Sequence, residues 1–140
     1  MLLLASTTDT GAGTYTSTGF HMHPQTVMCE FFLNVTTAAS GATDTGNFYI
    51  QTSTDGGVNW DDLVSFTQLL GNGGTKQFYA RWSSVVAPTT PTGAKQDGSL
   101  AAGTVVQGPK ALFWRTKRVL VNVTAVSFTY TVTAYAKRWS

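Results

Sequence analysis

The sequence is poor in charged residues and contains a single cysteine. Only 11% of its 140 residues are charged, whereas 42% are hydrophobic. One cysteine, Cys29, excludes an intrachain disulfide, and its apolar neighbours predict that it is buried. Because a solvated monomeric enzyme carries more charge on its surface, this composition predicts a protein that assembles with other proteins.

Long hydrophobic runs are also missing. No stretch reaches the roughly 18 residues of a membrane span, and the apolar residues 1–5 are shorter than a signal-peptide core of about 7 to 15 and lack a basic flank. We therefore expect a protein that is made in the cytosol and contacts no membrane. The net charge of +2 is too small to predict nucleic-acid binding. A basic strip suited to an acidic partner is nevertheless expected near the C-terminus, formed by Arg115, Lys117, Arg118, Lys137 and Arg138.

The apolar residues follow the spacing of strands and not that of helices. Apolar and Ser/Thr residues alternate over residues 127–136, which predicts a half-buried strand. Residues 112–124 predict a second strand that pairs with it through a short turn. The nearly continuous apolar run 27–35 is typical of a strand that is covered on both sides or faces a partner. No window shows helical spacing with caps at its ends.

These signals predict an all-β, single-domain, two-sheet sandwich of the jelly-roll type over residues 1–140. Roughly seven or eight short strands with frequent turn signals are typical of that architecture. Two segments lie outside the strand pattern: an extended N-terminal arm over residues 1–19, and a long loop rich in Pro and Gly over residues 87–103. Long segments of this kind in a small domain are usually functional or disordered, so both are candidates for reaching a neighbouring protein.

No catalytic, cofactor or metal site is predicted. His21 and His23 share one face of a strand, but a third ligand at matched spacing is absent. Asp61 and Asp62 are adjacent, so a strand would point them to opposite faces, and we expect both to be solvated turn residues. The sequence has no Gly-x-Ser-x-Gly elbow, phosphate-binding loop or Cys-x-x-Cys pair. We therefore expect a protein that is not an enzyme.

Residues 53–60, Ser-Thr-Asp-Gly-Gly-Val-Asn-Trp, resemble the Asp-box, with Asn where that pattern has Thr. The resemblance predicts a structural hairpin at Ser53, Asp55, Gly57 and Trp60. In it the aspartate accepts hydrogen bonds from turn amides, the glycine supplies an unusual backbone angle, and the tryptophan packs beneath the turn. Sialidase-like propellers repeat this hairpin several times, whereas it occurs once in this chain. It therefore indicates a turn and not a glycosidase.

The tryptophans are predicted to be core or interface anchors. Most large rings in a sandwich of this size have one of these two roles, and we expect the same of Trp60, Trp82 and Trp114. Trp139 is different because it is next to the last residue, where little core is available. We expect it to occupy a pocket on a partner protein.

A wider pattern extends over much of the chain. Over residues 48–81 a strand, a Ser-x-Asp-Gly-Gly turn and a Trp lead into an apolar strand, and residues 118–123 precede a Thr-rich terminal strand. This order resembles small structural proteins of tailed phages, in particular the cementing or decoration proteins of phage heads. The resemblance implies a jelly-roll-like homodimer on the capsid exterior that bridges neighbouring major capsid subunits. The residues that we expect to contact the capsid are Phe20, Arg115, Lys117, Arg118 and Trp139.

Two other functions remain open. A head-completion or tail protein would share the fold and the low charge, but it would be present in few copies per particle. A module that binds host glycans would use exposed tryptophans and would need no capsid.

Overall fold

The computed structural model describes residues 2–39, 41, 43–87, 97–121 and 127–138, and within them it contains eleven strands and no helix. The strands are β1 (Leu2–Thr10), β2 (Gly13–Thr16), β3 (Phe20–His21), β4 (Thr26–Ala39), β5 (Thr45–Ser53), β6 (Asp61–Ser65), β7 (Leu69–Leu70), β8 (Lys76–Ser83), β9 (Thr104–Val105), β10 (Phe113–Val121) and β11 (Ser127–Arg138). Among the described residues there is accordingly no helix long and apolar enough to cross a membrane. The predicted all-β fold is confirmed.

The strands form two antiparallel sheets that pack against each other. The four-stranded sheet has the order β1-β11-β4-β8. The larger sheet has the order β2-β10-β5-β6-β9, with β3 also paired to β10 and β7 to β5. The longest ladder joins β4 and β11, from Ala39 opposite Ser127 to Thr26 opposite Arg138. The predicted two-sheet sandwich is therefore confirmed.

Aromatic rings fill the space between the sheets. The residues of β11 that face inward, Phe128, Tyr130 and Val132, are fully buried. The Tyr130 ring meets Phe48 of the larger sheet edge-on, with 5.1 Å between ring centroids. Trp114 lies 5.1 Å from Trp82 of β8 by the same measure. Because burying each such side chain stabilises the fold by about 1.5 to 3 kcal/mol, these contacts hold the two sheets face to face.

The last two long strands lie in different sheets, so the prediction that they pair with each other is wrong. β10 pairs with β5 over its whole length, and β11 pairs with β4 and β1. Each strand presents alternate large side chains to the core, and these meet across the sandwich instead of along a shared edge. The connecting residues 122–126 lie outside the described part of the chain.

The N-terminal segment does not form the predicted arm where the structure describes it. β1 pairs with β11 from Leu2 opposite Thr133 to Thr10 opposite Ser127, and β2 pairs with β10. The many threonines of this segment favour strands because they are β-branched. Asp9 also ties β1 to the interior, since it is only 6% exposed.

The segment predicted as a long loop, residues 87–103, contains no strand in its described part, residues 87 and 97–103. Residues 88–96 lie outside the described residues. Close to this loop, the side chain of Gln107 takes the place of a neighbouring strand along the edge of β8. Its Oε1 accepts a hydrogen bond from the Ser83 amide at 2.7 Å, and its Nε2 donates to the Arg81 carbonyl at 2.9 Å.

Candidate interaction surface

The Asp-box-like segment forms a tight turn between β5 and β6. Asp55 Oδ1 accepts a hydrogen bond from the Asn59 amide at 2.8 Å, and Ser53 Oγ accepts one from the Gly57 amide at 2.8 Å. Trp60 Nε1 donates to the Gly57 carbonyl at 2.9 Å, and Gly57 has a φ of 96°. Asn59, which replaces the usual Thr, adds a bond from its Nδ2 to Asp55 Oδ2 at 2.7 Å. These bonds stabilise the turn itself.

The two histidines do not form a metal site with other residues that the structure describes. His21 of β3 stacks on Phe113, with 4.6 Å between ring centroids. His23 follows in a turn, where its Nδ1 accepts a hydrogen bond from the Gln25 amide at 3.2 Å. Within the described ranges, no group of three or more His, Cys, Asp and Glu side chains is placed to hold a metal ion.

Asp62 is buried, so the prediction that it is a solvated turn residue is wrong. Its side chain lies at 2% exposure on β6 and accepts hydrogen bonds from three successive amides. These bonds come from Gly98 at 2.8 Å, Ser99 at 2.9 Å and Leu100 at 3.0 Å, and Gln51 Nε2 adds a fourth at 2.8 Å. Amide donors replace the water that a carboxylate otherwise requires. Asp62 therefore anchors the loop 97–100 against the larger sheet.

Arg115 and Lys117, two predicted capsid contacts, are already paired within the chain. Lys117 Nζ lies 2.7 Å from Asp97 Oδ1, and Arg115 Nε donates to Gln51 Oε1 at 2.8 Å. The Arg115 guanidinium also lies 4.2 Å above the Trp60 ring. Burial raises the pKa of Asp97, but hydrogen bonds from Lys117 and Gln51, together with the charges of Lys117 and Arg115, outweigh it and hold the pKa below 3.8. Their contact with a partner stays a prediction.

Arg118 lies inside the sandwich, so the expectation of an exposed basic strip is wrong for this residue. Its Nε is 3.0 Å from Asp9 Oδ2 and 3.1 Å from the Tyr130 hydroxyl, and its Nη1 is 3.3 Å from Thr116 Oγ1. The Tyr130 hydroxyl also donates to Asp9. Because Arg118 shares the inward face of β10 with Thr116, it points into the core, where it joins β1, β10 and β11.

The other predicted contact residues are distributed differently. Phe20 pairs with Trp114 between β3 and β10 and packs, partly buried, against the core. Trp139 lies outside the described residues. Lys137 and Arg138, at the end of β11, are exposed and form the accessible part of the predicted basic strip.

An aromatic cluster lies on the outer face of the four-stranded sheet. Phe32 of β4 contacts Tyr79 of β8 and Tyr135 of β11, with 5.3 and 5.7 Å between ring centroids. Tyr79 is 53% exposed and Tyr135 is 60% exposed. We call these three residues the aromatic face. Exposed tyrosines grouped in this way are typical of protein-binding surfaces, because each supplies a large rigid contact area.

Polar side chains border the aromatic face on both sides. Glu30 lies opposite Arg81 in the sheet register and accepts a hydrogen bond from the Tyr79 hydroxyl at 3.0 Å. On the other side, Gln77 Nε2 donates to Asn34 Oδ1 at 2.7 Å. An apolar centre with a polar border is the usual anatomy of a protein–protein interface.

The end of this face nearest Arg81 is concave. A depression of about 360 Å³ is lined in part by Met28, Val85 and Lys137. Val85 is 69% exposed, and its neighbour Val86 is 47% exposed. Apolar side chains therefore continue from the aromatic face into a hollow that a partner's side chain can occupy.

The aromatic face was not predicted from the sequence. The apolar run 27–35 indicated a strand that is covered on both sides or faces a partner, and the structure places Phe31 and Leu33 in the core and Phe32 on the outer face. The signal for Phe32 was present in the strand alternation. Its two partner rings come from distant segments whose register the alternation does not give.

Comparisons of the chain with family models, curated proteins and solved structures found no match. What the fold and the surface define is an all-β sandwich with an exposed, polar-bordered aromatic face.

Proposed function

We propose that the chain is a structural virion protein that binds the outside of a tailed-phage head and cements neighbouring major capsid subunits. The observation that carries the proposal is the aromatic face formed by Phe32, Tyr79 and Tyr135. The resemblance of residues 48–81 and 118–123 to head cementing proteins supplies the identity of the partner. On that resemblance the protein acts as a homodimer on the capsid exterior after its synthesis in the bacterial cytoplasm, and it binds neither nucleic acid nor membrane.

The exposed rings have enough area to contribute strongly to binding. Tyr79 and Tyr135 each leave more than half of their surface exposed. Covering either ring would remove roughly 100 Å² from water, which corresponds to about 2 to 3 kcal/mol of apolar burial. A protein that binds only the assembled shell stabilises that shell by mass action. A rigid face with aromatic anchors is suited to this task and requires no catalytic group.

The glycan-binding alternative is not favoured by the three tryptophans that the structure describes. It relied on exposed indole rings, whereas Trp60, Trp82 and Trp114 are 8%, 1% and 0% exposed. Trp60 is also covered by Arg115. A head-completion or tail protein would use the same kind of surface, and copy number separates it from a cement.

Quantitative mass spectrometry of purified virions tests the proposal directly. A copy number comparable to that of the major capsid protein is expected for a cement. A handful of copies per particle would contradict the proposal and favour a tail or head-completion protein.

A binding assay with heads that lack this protein tests the surface. Tyr135→Ser and Tyr79→Ser should each weaken binding about tenfold or more, because truncating a central aromatic residue of an interface costs over 1 kcal/mol. Val58→Ser is the matched control, since Val58 is apolar and 79% exposed but lies on the turn after β5, in the other sheet. Unchanged binding by both tyrosine variants would rule out the aromatic face as the contact.

A further inference from the structure

A cavity of about 640 Å³ lies at the C-terminal end of β11. Along this part of β11, β4 pairs with it as far as Arg138. The inward side chains of β11 also become small here, since Val132 is followed by Ala134 and Ala136. The volume of the cavity is in the range of small-molecule sites, about 300 to 1,000 Å³.

One wall of this cavity contains an unusual polar group. Thr26 lines the cavity and is only 5% exposed, and its hydroxyl has no hydrogen-bond partner among the described residues. Buried hydroxyls are nearly always hydrogen-bonded, because an unpaired one loses its bonds to water without replacement. The wall of the cavity therefore contains a buried hydroxyl that no described residue satisfies.

The other polar groups of the cavity favour an anion. Arg138, His21 and His23 line it, and none of its described lining residues carries a carboxylate. His23 Nδ1 accepts the hydrogen bond of the Gln25 amide, which leaves Nε2 as the ring nitrogen that can donate to a bound group. A guanidinium, an imidazole N–H and a hydroxyl together match the oxygens of a carboxylate.

The remaining wall is apolar. Met22, Ala134 and Ala136 contribute carbon surface, and Met22 is only 4% exposed. We propose that this cavity binds a carboxylate carried on a short apolar group. Such a group is present both in small free carboxylic acids and in the last residue of a polypeptide that ends in an apolar side chain. The cavity adjoins the capsid contact proposed above, because Tyr135 lines the cavity and also belongs to the aromatic face.

Titration of the full chain with hexanoate, followed by NMR chemical shifts, tests the proposal. We expect saturable shifts at the residues that line the cavity and at least tenfold weaker binding of the neutral analogue hexanamide. Arg138→Gln should weaken hexanoate binding about tenfold. Lys137→Gln is the matched control, because it removes the same charge from the adjacent residue, which does not line the cavity. Equal affinity for hexanoate and hexanamide, or equal effects of the two variants, would overturn the proposal.

Thr26→Val separates a binding role of the hydroxyl from a structural one. It keeps the shape of the side chain, so we expect weaker hexanoate binding with no fall in melting temperature. A lower melting temperature with unchanged binding would contradict the assignment of this hydroxyl to a ligand.

A second titration distinguishes the two sources of the carboxylate. It uses a short peptide that ends in leucine, with a free carboxylate or with an amide. Binding of hexanoate alone assigns the cavity to free acids, and binding of the carboxylate peptide assigns it to a polypeptide terminus. Either result supports the proposal, whereas absence of saturable shifts with both probes overturns it.

Discussion

Removing the Asp9 carboxylate should strongly destabilise the protein. In Asp9→Ala, the Arg118 guanidinium stays in the core with only the Tyr130 and Thr116 hydroxyls as partners. Breaking a buried ion pair from one side costs about 3 to 5 kcal/mol. The entropy of unfolding is roughly 2.1 cal/mol/K per residue, so for 140 residues this loss lowers the melting temperature by about 10 to 17 °C.

Urea unfolding followed by tryptophan fluorescence measures this loss, since Trp82 and Trp114 are buried in the core and become exposed on unfolding. The double variant Asp9→Leu, Arg118→Met removes both charges and should recover most of the stability, because an apolar pair carries no desolvation penalty. Two results would show that the Asp9–Arg118 pair does not hold β1 to the sandwich. One is a loss of unfolding free energy below about 1 kcal/mol in Asp9→Ala, and the other is a double variant that is no more stable than Asp9→Ala.

Three further predictions concern Asp97, Cys29 and the turn glycines. The pKa of Asp97 is lowered when the chain folds. The Asp97 carboxylate therefore stabilises the folded state fully above its ordinary pKa of 3.8, and this stabilisation is lost as the pH falls through the lower pKa of the folded state. Asp97→Asn should therefore reduce the loss of stability at acid pH by less than about 1 kcal/mol, since the carboxylate is half exposed. Urea unfolding at a series of pH values measures this, and an unchanged loss at acid pH would contradict the prediction. Burial raises the pKa of Cys29 to about 12, so its thiol should react with a disulfide reagent at pH 8 only in unfolded protein, and rapid labelling of native protein would disprove its burial. Gly57→Ala should lower the melting temperature more than Gly56→Ala. Both glycines have a positive φ, but only at Gly57 would an added Cβ lie 2.8 Å from the Phe113 ring. Equal losses of melting temperature would count against this clash.

Strand content was predictable because alternation is a local property of the sequence. The alternation of Phe128, Tyr130 and Val132 with threonines predicted β11 and its buried side. The partner of each strand was not predictable in the same way. The chain segment between β10 and β11 is short, yet the two strands lie in different sheets, with β10 beside β5 and β11 between β1 and β4.

The burial of the interior polar groups is not predictable from the sequence for a related reason. The sequence predicts an exposed cation at Arg118 because its partner, Asp9, is 109 residues away. The sequence predicts a solvated carboxylate at Asp62 because the amides that it binds belong to residues 98–100, a segment without a strand pattern. Charge near a strand indicates exposure only when no distant partner exists, and a single sequence does not show such partners.

The Gln107 side chain along the edge of β8 affects how copies of the protein meet each other. An uncovered strand edge invites a second chain to extend the sheet, which leads to open-ended polymers. Here the Ser83 amide and the Arg81 carbonyl are already bonded to Gln107, so this stretch of the edge offers no template. The adjoining outer face of the same sheet stays accessible. Individual molecules are thereby protected from growing into fibres at this edge while they retain a surface for attachment to a larger assembly.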